Sequence, residues 1–342
     1  MPVSATPDQL LTAFRADPQN APLALHAGAA LQAAGRLDEA LAVWTLGDDV
    51  NPALRRLANQ PQVSPDLRDW SARADQAIRH HFTGLHARTV AEMAEDLPAG
   101  TLDRIARAIW VQYATEPFHY NVPDQRPPIF YLPDLPALPM VGADALTWGP
   151  ALEAAADTIR QELLAATGAA PEPYVPAGSR GIWSKLGGTL DWGTIYLFAN
   201  AQRCDQADMF PATIAALDKA ELSQKNGAPI EAFFSILKPG AHIPPHCGLT
   251  NARLTVHLPL IVPQGCRIRV GQDIHTWREG QLIAFDDSFE HEAWNQGDTD
   301  RVVLIFETPH PDLSTDEKRA IERVYEVFDH WVANRHAVLN MA

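Results

Sequence analysis

Short segments in which apolar and polar residues alternate follow one another between residues 232 and 306. Pro, Gly and Asp residues separate these segments, and no stretch with a helical pattern lies between them. Strands in such close succession pair as antiparallel sheets, because parallel pairing needs a long crossover connection. The pattern therefore predicts a β-sandwich or a β-barrel. The predicted strands are 232–237, 253–262, 266–270, 281–285 and 301–306.

The first third of the chain has helical periodicity instead. Small and apolar residues recur at helical spacing between Pro18 and Pro52, and Gly35 divides them into two segments. This pair of helices resembles one tetratricopeptide repeat, although an ordinary helical hairpin has the same pattern. Since single repeats are rarely stable, either residues 65–97 form further degenerate helices or the pair packs on the rest of the protein.

A proline-rich segment separates these two regions. Five prolines between Gln125 and Gly142 exclude a helix and mark either a linker or an extended segment laid over a core. Further helices are predicted over residues 148–167 and 316–334, and the second would close the strand-rich domain. The predicted organisation is an α+β chain, with a tetratricopeptide-like α-helical domain over residues 1–124 and a strand-rich domain over residues 125–342.

Composition limits the partners of this chain. Its 342 residues carry a formal charge of −15, which argues against nucleic acid or an anionic membrane, because both attract a positive surface. The three cysteines form no CxxC pair, so a reducing compartment fits better than a disulfide scaffold. No apolar run approaches the roughly 20 residues of a membrane helix. We therefore expect a soluble, cytoplasmic protein.

Histidines cluster between residues 242 and 310, where six of the 13 are found. They are His242, His246, His257, His275, His291 and His310. A single histidine in a strand is more often structural than a metal ligand, but the contexts of His246 and His291 differ. His246 follows two prolines and precedes Gly248, which allows close backbone approach to a metal. His291 begins a strand after an acidic turn, so we expect it to meet His246 from the opposite sheet.

Arg301 lies ten residues past His291, in a strand whose alternation aligns it with apolar residues. A buried guanidinium needs an anionic partner, because an unpaired buried charge is very costly. A bound carboxylate would match its planar fork, and a salt bridge within the protein is an equal alternative. The candidates for that bridge are Asp286, Asp287 and Glu307. Two neutral imidazoles beside a basic side chain suit a non-haem iron site that binds a dicarboxylate.

The sequences around these residues resemble the aspartyl/asparaginyl β-hydroxylase family of Fe(II)- and 2-oxoglutarate-dependent dioxygenases. The resemblance extends over about half of the chain, from residue 127 to residue 313. It rests on HCGLTNARL at 246–254, His257-Leu258, FDDSFEHEAW at 285–294, Arg301 and Pro309-His310-Pro311. It implies a double-stranded β-helix, or jelly roll, and helical repeats precede this domain in other members.

The resemblance also implies roles for individual residues. His246 and His291 match the two iron ligands, and Arg301 matches the arginine that binds the distal carboxylate of 2-oxoglutarate. Ser235 and His257 match positions that contact this cosubstrate.

The acidic turn and the missing third ligand form a second part of the implied site. Asp286 and Asp287 are expected to hydrogen-bond to a ligating histidine. Most 2-oxoglutarate oxygenases have a carboxylate two residues past the first histidine, whereas this chain and the family it resembles have no carboxylate there. Gly248 occupies that position and leaves a coordination site for water.

The substrate positions depart from the family pattern. Members that act on aspartate commonly read Arg-Leu-Arg before His-Leu, and the second arginine faces the substrate. Here that residue is Thr255, which cannot pair with a carboxylate as arginine does. Alternation places Thr255 on one face of its strand with Arg253 and His257. Other candidate substrate contacts are Arg180 and Trp192.

The implied activity is hydroxylation of an unactivated C–H bond with O2, Fe(II) and 2-oxoglutarate. The expected substrate is the β-carbon of an Asp- or Asn-type residue in a protein or peptide, because helical repeats usually bind such partners. Two alternatives stay open: a hydroxylase of a free or carrier-bound small molecule or acyl chain, and a non-catalytic helical-repeat interaction protein. A cupin-like isomerase has little support, since such sites use more histidines and a carboxylate.

Overall fold

The computed structural model describes residues 5–341, which form helices and antiparallel strands. The α-helices are α1 (Pro7–Ala16), α2 (Ala21–Ala33), α3 (Leu37–Val50), α4 (Pro65–Ala94), α5 (Asp103–Ala106), α6 (Gly149–Ala154), α7 (Ala156–Ala165), α8 (Pro211–Leu217) and α9 (Thr315–Val338). Short 3-10 helices cover Leu54–Asn59, Val111–Tyr113, Ala143–Ala145, Gly181–Trp183 and Asp205–Met209. Within residues 5–341, no helix is both long and apolar enough to cross a membrane.

The strands begin after α5. They are β1 (Ile109–Trp110), β2 (Phe130–Tyr131), β3 (Met140–Val141), β4 (Glu172–Pro173), β5 (Trp192–Ala199), β6 (Gln202–Arg203), β7 (Gln224–Lys225), β8 (Ala228–Pro229), β9 (Ala232–Leu237), β10 (His242–His246), β11 (Arg253–Ile261), β12 (Cys266–Val270), β13 (Asp273–His275), β14 (Ile283–Phe285), β15 (His291–Asn295) and β16 (Arg301–Pro309). All five predicted strands are present, with shifted ends in three of them.

The described chain divides into two compact units that interleave in sequence. The first contains the described residues up to Pro98, Gln112–Phe118 and the residues from Arg323 onward, and the second contains Ala99–Val111 and His119–Glu322. This division differs from the single boundary predicted at residue 124. The predicted closing helix, α9, also differs, because its second half packs in the first unit. There the rings of Phe328 and Trp331 lie 4.9 and 5.1 Å from the ring of Phe82.

The helical unit contains the predicted helix pair. α2 and α3 flank Gly35, whose φ of 76° is in the left-handed region that glycine adopts without strain. The two helices approach closely, since a Cβ at Gly28 would lie 2.2 Å from the indole nitrogen of Trp44. Within residues 65–97, Pro65–Ala94 form one 30-residue helix, α4, rather than several degenerate helices. The tetratricopeptide interpretation therefore stays a prediction.

The strand-rich unit is a sandwich of two antiparallel sheets, as predicted. The larger sheet has the order β3-β14-β11-β16-β9-β5-β4, with β6 beside β5, and the smaller sheet has the order β10-β15-β12-β13. From β9 to β16 the chain passes repeatedly between the two sheets. This alternation is the connectivity of a jelly roll.

The two faces of the larger sheet have different environments. On β11, Leu254, Val256 and Leu258 are buried in an apolar cluster that includes residues of α6, α7 and α8. The alternate residues Thr255 and His257 face a pocket that side chains of the smaller sheet also line. The predicted alternation along this strand is confirmed. The predicted helix at 148–167 is present as α6 and α7.

The proline-rich segment is an extended segment over a core and not a linker. Gln125 is 1% exposed, and the rings of Phe130 and Tyr131 are buried. The side-chain amide of Asn251 accepts from the backbone nitrogen of Leu132 and donates to its carbonyl, both at 2.8 Å. These bonds fix the segment beside the loop that follows His246 in sequence.

Candidate metal and cosubstrate site

His246 and His291 are neighbours within the smaller sheet. They face each other in the antiparallel register of β10 and β15, and their ring centroids are 4.1 Å apart. The prediction that they meet from opposite sheets is wrong. Directly opposed residues of adjacent antiparallel strands lie on the same face, so one strand pair is enough to bring the rings together.

Backbone carbonyls fix the orientation of both imidazoles. Nδ1 of His246 lies 2.8 Å from the carbonyl oxygen of Pro244, and Nδ1 of His291 lies 3.0 Å from that of Phe289. Because a carbonyl oxygen only accepts, each Nδ1 carries the proton and each Nε2 keeps a free lone pair. Burial lowers the pKa of both rings, and His246 helps to lower that of His291 to about 3. Both are therefore neutral at neutral pH, which is the state that binds metal.

The histidine pair lines a pocket between the two sheets, with about 650 Å³ of empty space including its open mouth. Most of the residues predicted from the sequence line the same pocket: Ser235, His246, Thr255, His257, Asp287, His291, Arg301 and Trp192. The other three do not line it. Asp286 lies behind it, Arg253 pairs with the lining residue Glu307, and Arg180 is exposed.

Arg301 is a buried cation without an anionic partner in the described part of the chain. Its side chain is 1% exposed, and its Nε has no hydrogen-bond partner. One Nη donates to the hydroxyl of Ser235 at 3.2 Å, and the guanidinium carbon lies 5.0 Å from the ring centroid of Trp277. Burial lowers the pKa of Arg301 to about 10. This guanidinium still needs an anion.

The alternative of a salt bridge between Arg301 and a nearby carboxylate is wrong. Each of the three candidate carboxylates has other partners: Asp286 accepts from Gln125 and Ser288, Asp287 accepts from Thr255, and Glu307 pairs with Arg253. An anion for Arg301 must therefore come from a bound molecule.

Hydrogen bonds from two tryptophans orient His257 and Ser235 as further donors beside Arg301. The indole of Trp277 donates to Nδ1 of His257 at 3.2 Å, so the Nε2 of this ring carries the proton. Burial lowers the pKa of His257 well below its usual value, which keeps the ring neutral. The hydroxyl of Ser235 accepts from Trp192 at 3.0 Å and from Arg301, so its own hydrogen is free to donate.

The acidic turn fills the space beside the glycine that follows the first histidine. A Cβ at Gly248 would lie 2.0 Å from Cγ of Asp287, and the backbone nitrogen of Gly248 donates to the Asp287 carbonyl at 2.6 Å. The Asp287 carboxyl accepts from the hydroxyl of Thr255 at 3.0 Å, and burial raises its pKa well above the usual range. In residues 5–341, no group of three His, Cys, Asp or Glu side chains is placed to hold a metal ion.

The predicted hydrogen bonds between the acidic turn and the histidines differ from those in the structure. The carboxyl of Asp286 accepts from the amide of Gln125 at 2.6 Å and from the hydroxyl of Ser288 at 2.5 Å. Burial raises the pKa of Asp286 to about 6. The carboxylates thus anchor the turn, whereas backbone carbonyls orient the two imidazoles.

We expect Gly248→Ala to destabilise the protein by about 1–3 kcal/mol, because the added methyl group overlaps the Asp287 carboxyl. Urea denaturation measures the loss, and Gly168→Ala is the control, since its Cβ would meet no atom closer than 3.5 Å. Adding Asp287→Ala to Gly248→Ala should restore part of the stability. Equal stability of the two glycine variants would contradict the close contact.

The pocket is also lined by residues that the motifs did not indicate, among them Tyr174, Glu231, Phe233 and Ile268. Period two accounts for Glu231 and Phe233, because they precede Ser235 by four and two residues. Phe233 lies in β9, and Glu231 comes immediately before it. Tyr174 comes from a distant segment, so no local pattern could have indicated it.

The residues of this pocket fit a metal ion and a dicarboxylate. Two neutral imidazoles present free Nε2 atoms, as non-haem iron sites require. The unpartnered Nε of Arg301 and the donors of Ser235 and His257 lie in the same pocket, where they can bind a carboxylate.

Comparison with known proteins agrees with this arrangement. The sequence model of the family described as aspartyl/asparaginyl beta-hydroxylase matches residues 153–311. The mouse aspartyl/asparaginyl beta-hydroxylase is 36% identical over 137 residues, which are 39% of this chain and 18% of that protein. The human aspartate beta-hydroxylase domain-containing protein 2 is 33% identical over 214 residues, which are 59% of this chain and 55% of that protein.

Solved structures are much more distant. A 2OG-Fe(II) oxygenase family oxidoreductase from Burkholderia pseudomallei has a TM-score of 0.27 and 11% identity, over 37% of this chain and 72% of that chain. A similarity this low carries no conclusion. The chain spans less than a fifth of the mouse protein and about half of the human one. The matched region includes both histidines and Arg301, and over residues 153–311 the chain is similar to the aspartyl/asparaginyl beta-hydroxylase family.

Proposed function

We propose that this protein is an Fe(II)- and 2-oxoglutarate-dependent dioxygenase that hydroxylates an unactivated C–H bond. One observation carries the proposal: a fully buried arginine with no anionic partner among residues 5–341 shares a pocket with two neutral histidines whose Nε2 atoms are free. Similarity to the aspartyl/asparaginyl beta-hydroxylase family supports the same activity.

Each residue has a defined part in the proposed reaction. His246 and His291 would hold the iron through Nε2, and their carbonyl partners keep those lone pairs available. Arg301 would bind the distal carboxylate of 2-oxoglutarate, with Ser235 and His257 as further donors. When bound, iron and 2-oxoglutarate supply the oxidation, in which one atom of O2 enters succinate and the other enters the new hydroxyl group. The aromatic and apolar pocket lining limits access of water to the reacting groups.

For the substrate, we propose an Asp- or Asn-type residue in a protein or peptide, with hydroxylation at its β-carbon. Similarity to this family supports the proposal, as does the helical unit if it binds peptides. Thr255 lines the pocket where an arginine would face an aspartyl carboxylate, and its hydroxyl donates to Asp287.

Release of succinate from 2-oxoglutarate tests the reaction. We expect the purified protein to form succinate in proportion to O2 consumption when Fe(II) is added, and to stop when a chelator removes the metal. A hydroxylase that lacks its substrate still turns over slowly, so a candidate peptide should raise the rate. Succinate formation that does not depend on iron, or none at all, would contradict the proposed function.

A further inference from the structure

The pocket has two ends of opposite charge. Arg301 and Glu307 lie on the same face of β16 and both line the pocket. They are six residues apart, which corresponds to about 20 Å along a strand. Thr255 is opposite Glu307, whereas Leu237 is opposite Arg301. A cosubstrate carboxylate at Arg301 therefore leaves the Glu307 end for another molecule.

Carboxyl groups dominate the second end. Glu231, Glu307 and Asp287 line it, and the one guanidinium close to them belongs to Arg253, which lies 2.7 Å from Glu307. The hydroxyl of Thr255 donates to Asp287. The Glu231 carboxyl makes no hydrogen bond in the described part of the chain. A buried carboxylate is costly unless a cation or a donor compensates its charge, and at this end Arg253 supplies one positive group for three carboxyls.

The position of Glu231 explains why its charge is unfavourable in the free protein. It immediately precedes β9, whose first residue pairs with Phe306, so Glu231 comes beside Glu307 on the neighbouring strand. Burial and the charge of Glu307 raise the pKa of Glu231 to about 7, and Arg253 opposes this shift. A positive charge placed between the two carboxyls would relieve both effects.

Aromatic rings form the wall beside these carboxyls. The ring of Tyr174 stacks on Trp192 at 4.0 Å and lies 5.3 Å from the ring of Phe233. Burial raises the pKa of Tyr174, and its hydroxyl has no hydrogen-bond partner among residues 5–341. Aromatic faces attract cations, and rings combined with carboxylates are a usual way to bind ammonium groups. The aromatic wall and the carboxyls thus each indicate, independently, a positively charged ligand.

On the basis of the proposed hydroxylase function, we propose that the primary substrate presents an amine or guanidinium cation to this end of the pocket. Glu231 and Glu307 bind its charge, and the faces of Tyr174 and Phe233 pack against its carbon atoms. An aspartyl carboxylate at the same place would meet two carboxyls and be repelled. An Asp- or Asn-type residue is then a substrate when the same molecule also carries a basic group that enters this end of the pocket.

The cation has two possible sources, a free basic amino acid and a basic residue of a peptide. Nα-acetyl-lysine methylamide, whose side-chain ammonium is free, represents the peptide. Nα-acetyl-norleucine methylamide has a similar aliphatic side chain without the charge. N-acetyl-aspartate methylamide represents the opposite charge, and free lysine represents the amino acid. Calorimetric titration of the full chain with Fe(II) and 2-oxoglutarate, without oxygen, measures the affinity of each probe.

We expect the lysine probe to bind at least about tenfold more tightly than the norleucine probe, because a charge-assisted hydrogen bond contributes about that factor. Glu231→Gln should abolish this preference, since it keeps the shape and removes the charge. Glu172→Gln is the matched control, because Glu172 is exposed and outside the pocket, and it should keep the preference. Tighter binding of free lysine than of the methylamide would identify the amino acid as the source.

The comparison of probes in the unaltered protein needs no variant, so the proposal stays testable if Glu231→Gln fails to fold. Equal affinity for the lysine and norleucine probes, tighter binding of the aspartate probe, or no binding of either lysine compound would overturn the proposal. Binding of Fe(II) and 2-oxoglutarate to the protein is measured by calorimetry before any probe is added. Failure of that binding would overturn the proposed function and the inference that rests on it, whereas its success without a lysine preference overturns the inference alone.

Discussion

Replacing His246 by Ala is expected to lower Fe(II) affinity and succinate formation by about a hundredfold or more. The described residues offer only two imidazoles to the metal, so the substitution removes half of its protein ligands. Each ligand of a structural metal contributes several kcal/mol to binding, which corresponds to two or more factors of ten. Metal content after dialysis and succinate release measure the two losses.

His242→Ala is the matched control for this substitution. His242 lies on the same strand, but it is exposed and does not line the pocket. Its ring stacks on Trp294 and bonds to Glu292, so its loss affects the outer surface of the sheet. We expect this variant to keep its iron and its activity. Retained iron binding in His246→Ala, or equal losses in the two variants, would show that the histidine pair is not the metal site.

Replacing Arg301 by Met is expected to change cosubstrate binding and stability in opposite directions. The affinity for 2-oxoglutarate should fall by about a hundredfold, because charge-assisted hydrogen bonds from a guanidinium to a carboxylate are lost. The melting temperature of the ligand-free protein should stay the same or rise. An unpaired charge in a buried position opposes folding, and Met fills a similar volume without it.

The pKa of Arg301 gives the sign and the size of this second effect. Burial lowers it from 12.5 to about 10, so the folded protein holds this proton less tightly than the unfolded chain does. The charged form therefore opposes folding at every pH below about 10, by about 3 kcal/mol. Stability should increase only as the pH rises through 10 and the guanidinium loses its proton.

Thermal unfolding with and without 2-oxoglutarate measures both effects of Arg301→Met. In the unaltered protein the ligand should raise the melting temperature, and in the variant it should not. Arg267→Met is a suitable control, because Arg267 is an exposed strand arginine outside the pocket. A large fall in the melting temperature of ligand-free Arg301→Met would mean that the protein itself stabilises the charge.

The local pattern of apolar and polar residues was sufficient to predict much of the fold. Alternation on β11 predicted which side chains enter the core and which face the pocket, because a strand has a fixed period of two. The same rule aligned Arg301 with the pocket, and Gly35 marked the turn between α2 and α3. Helical periodicity did not reveal that α9 packs in the first unit, since its contacts with Phe82 join residues more than 240 positions apart.

The candidate site was predictable in its residue types and less so in its geometry. The sequence indicated His246, His291 and Arg301 through their motifs, yet it placed the two histidines on opposite sheets. Strand pairing decides which residues face each other, and the register of β10 with β15 is not encoded in either strand alone. Family motifs also could not show that the acidic turn bonds to Gln125 and Thr255.

By itself, the sequence determined the elements, the buried faces and the residue types that suit a metal and a dicarboxylate. The tertiary structure decided which charges are compensated. In the described part of the chain, it left Arg301 without a carboxylate and gathered Glu231, Glu307 and Tyr174 at the other end of one pocket. The physical reason is that charge compensation depends on distances between segments far apart in sequence, whereas periodicity reports only how a segment is buried.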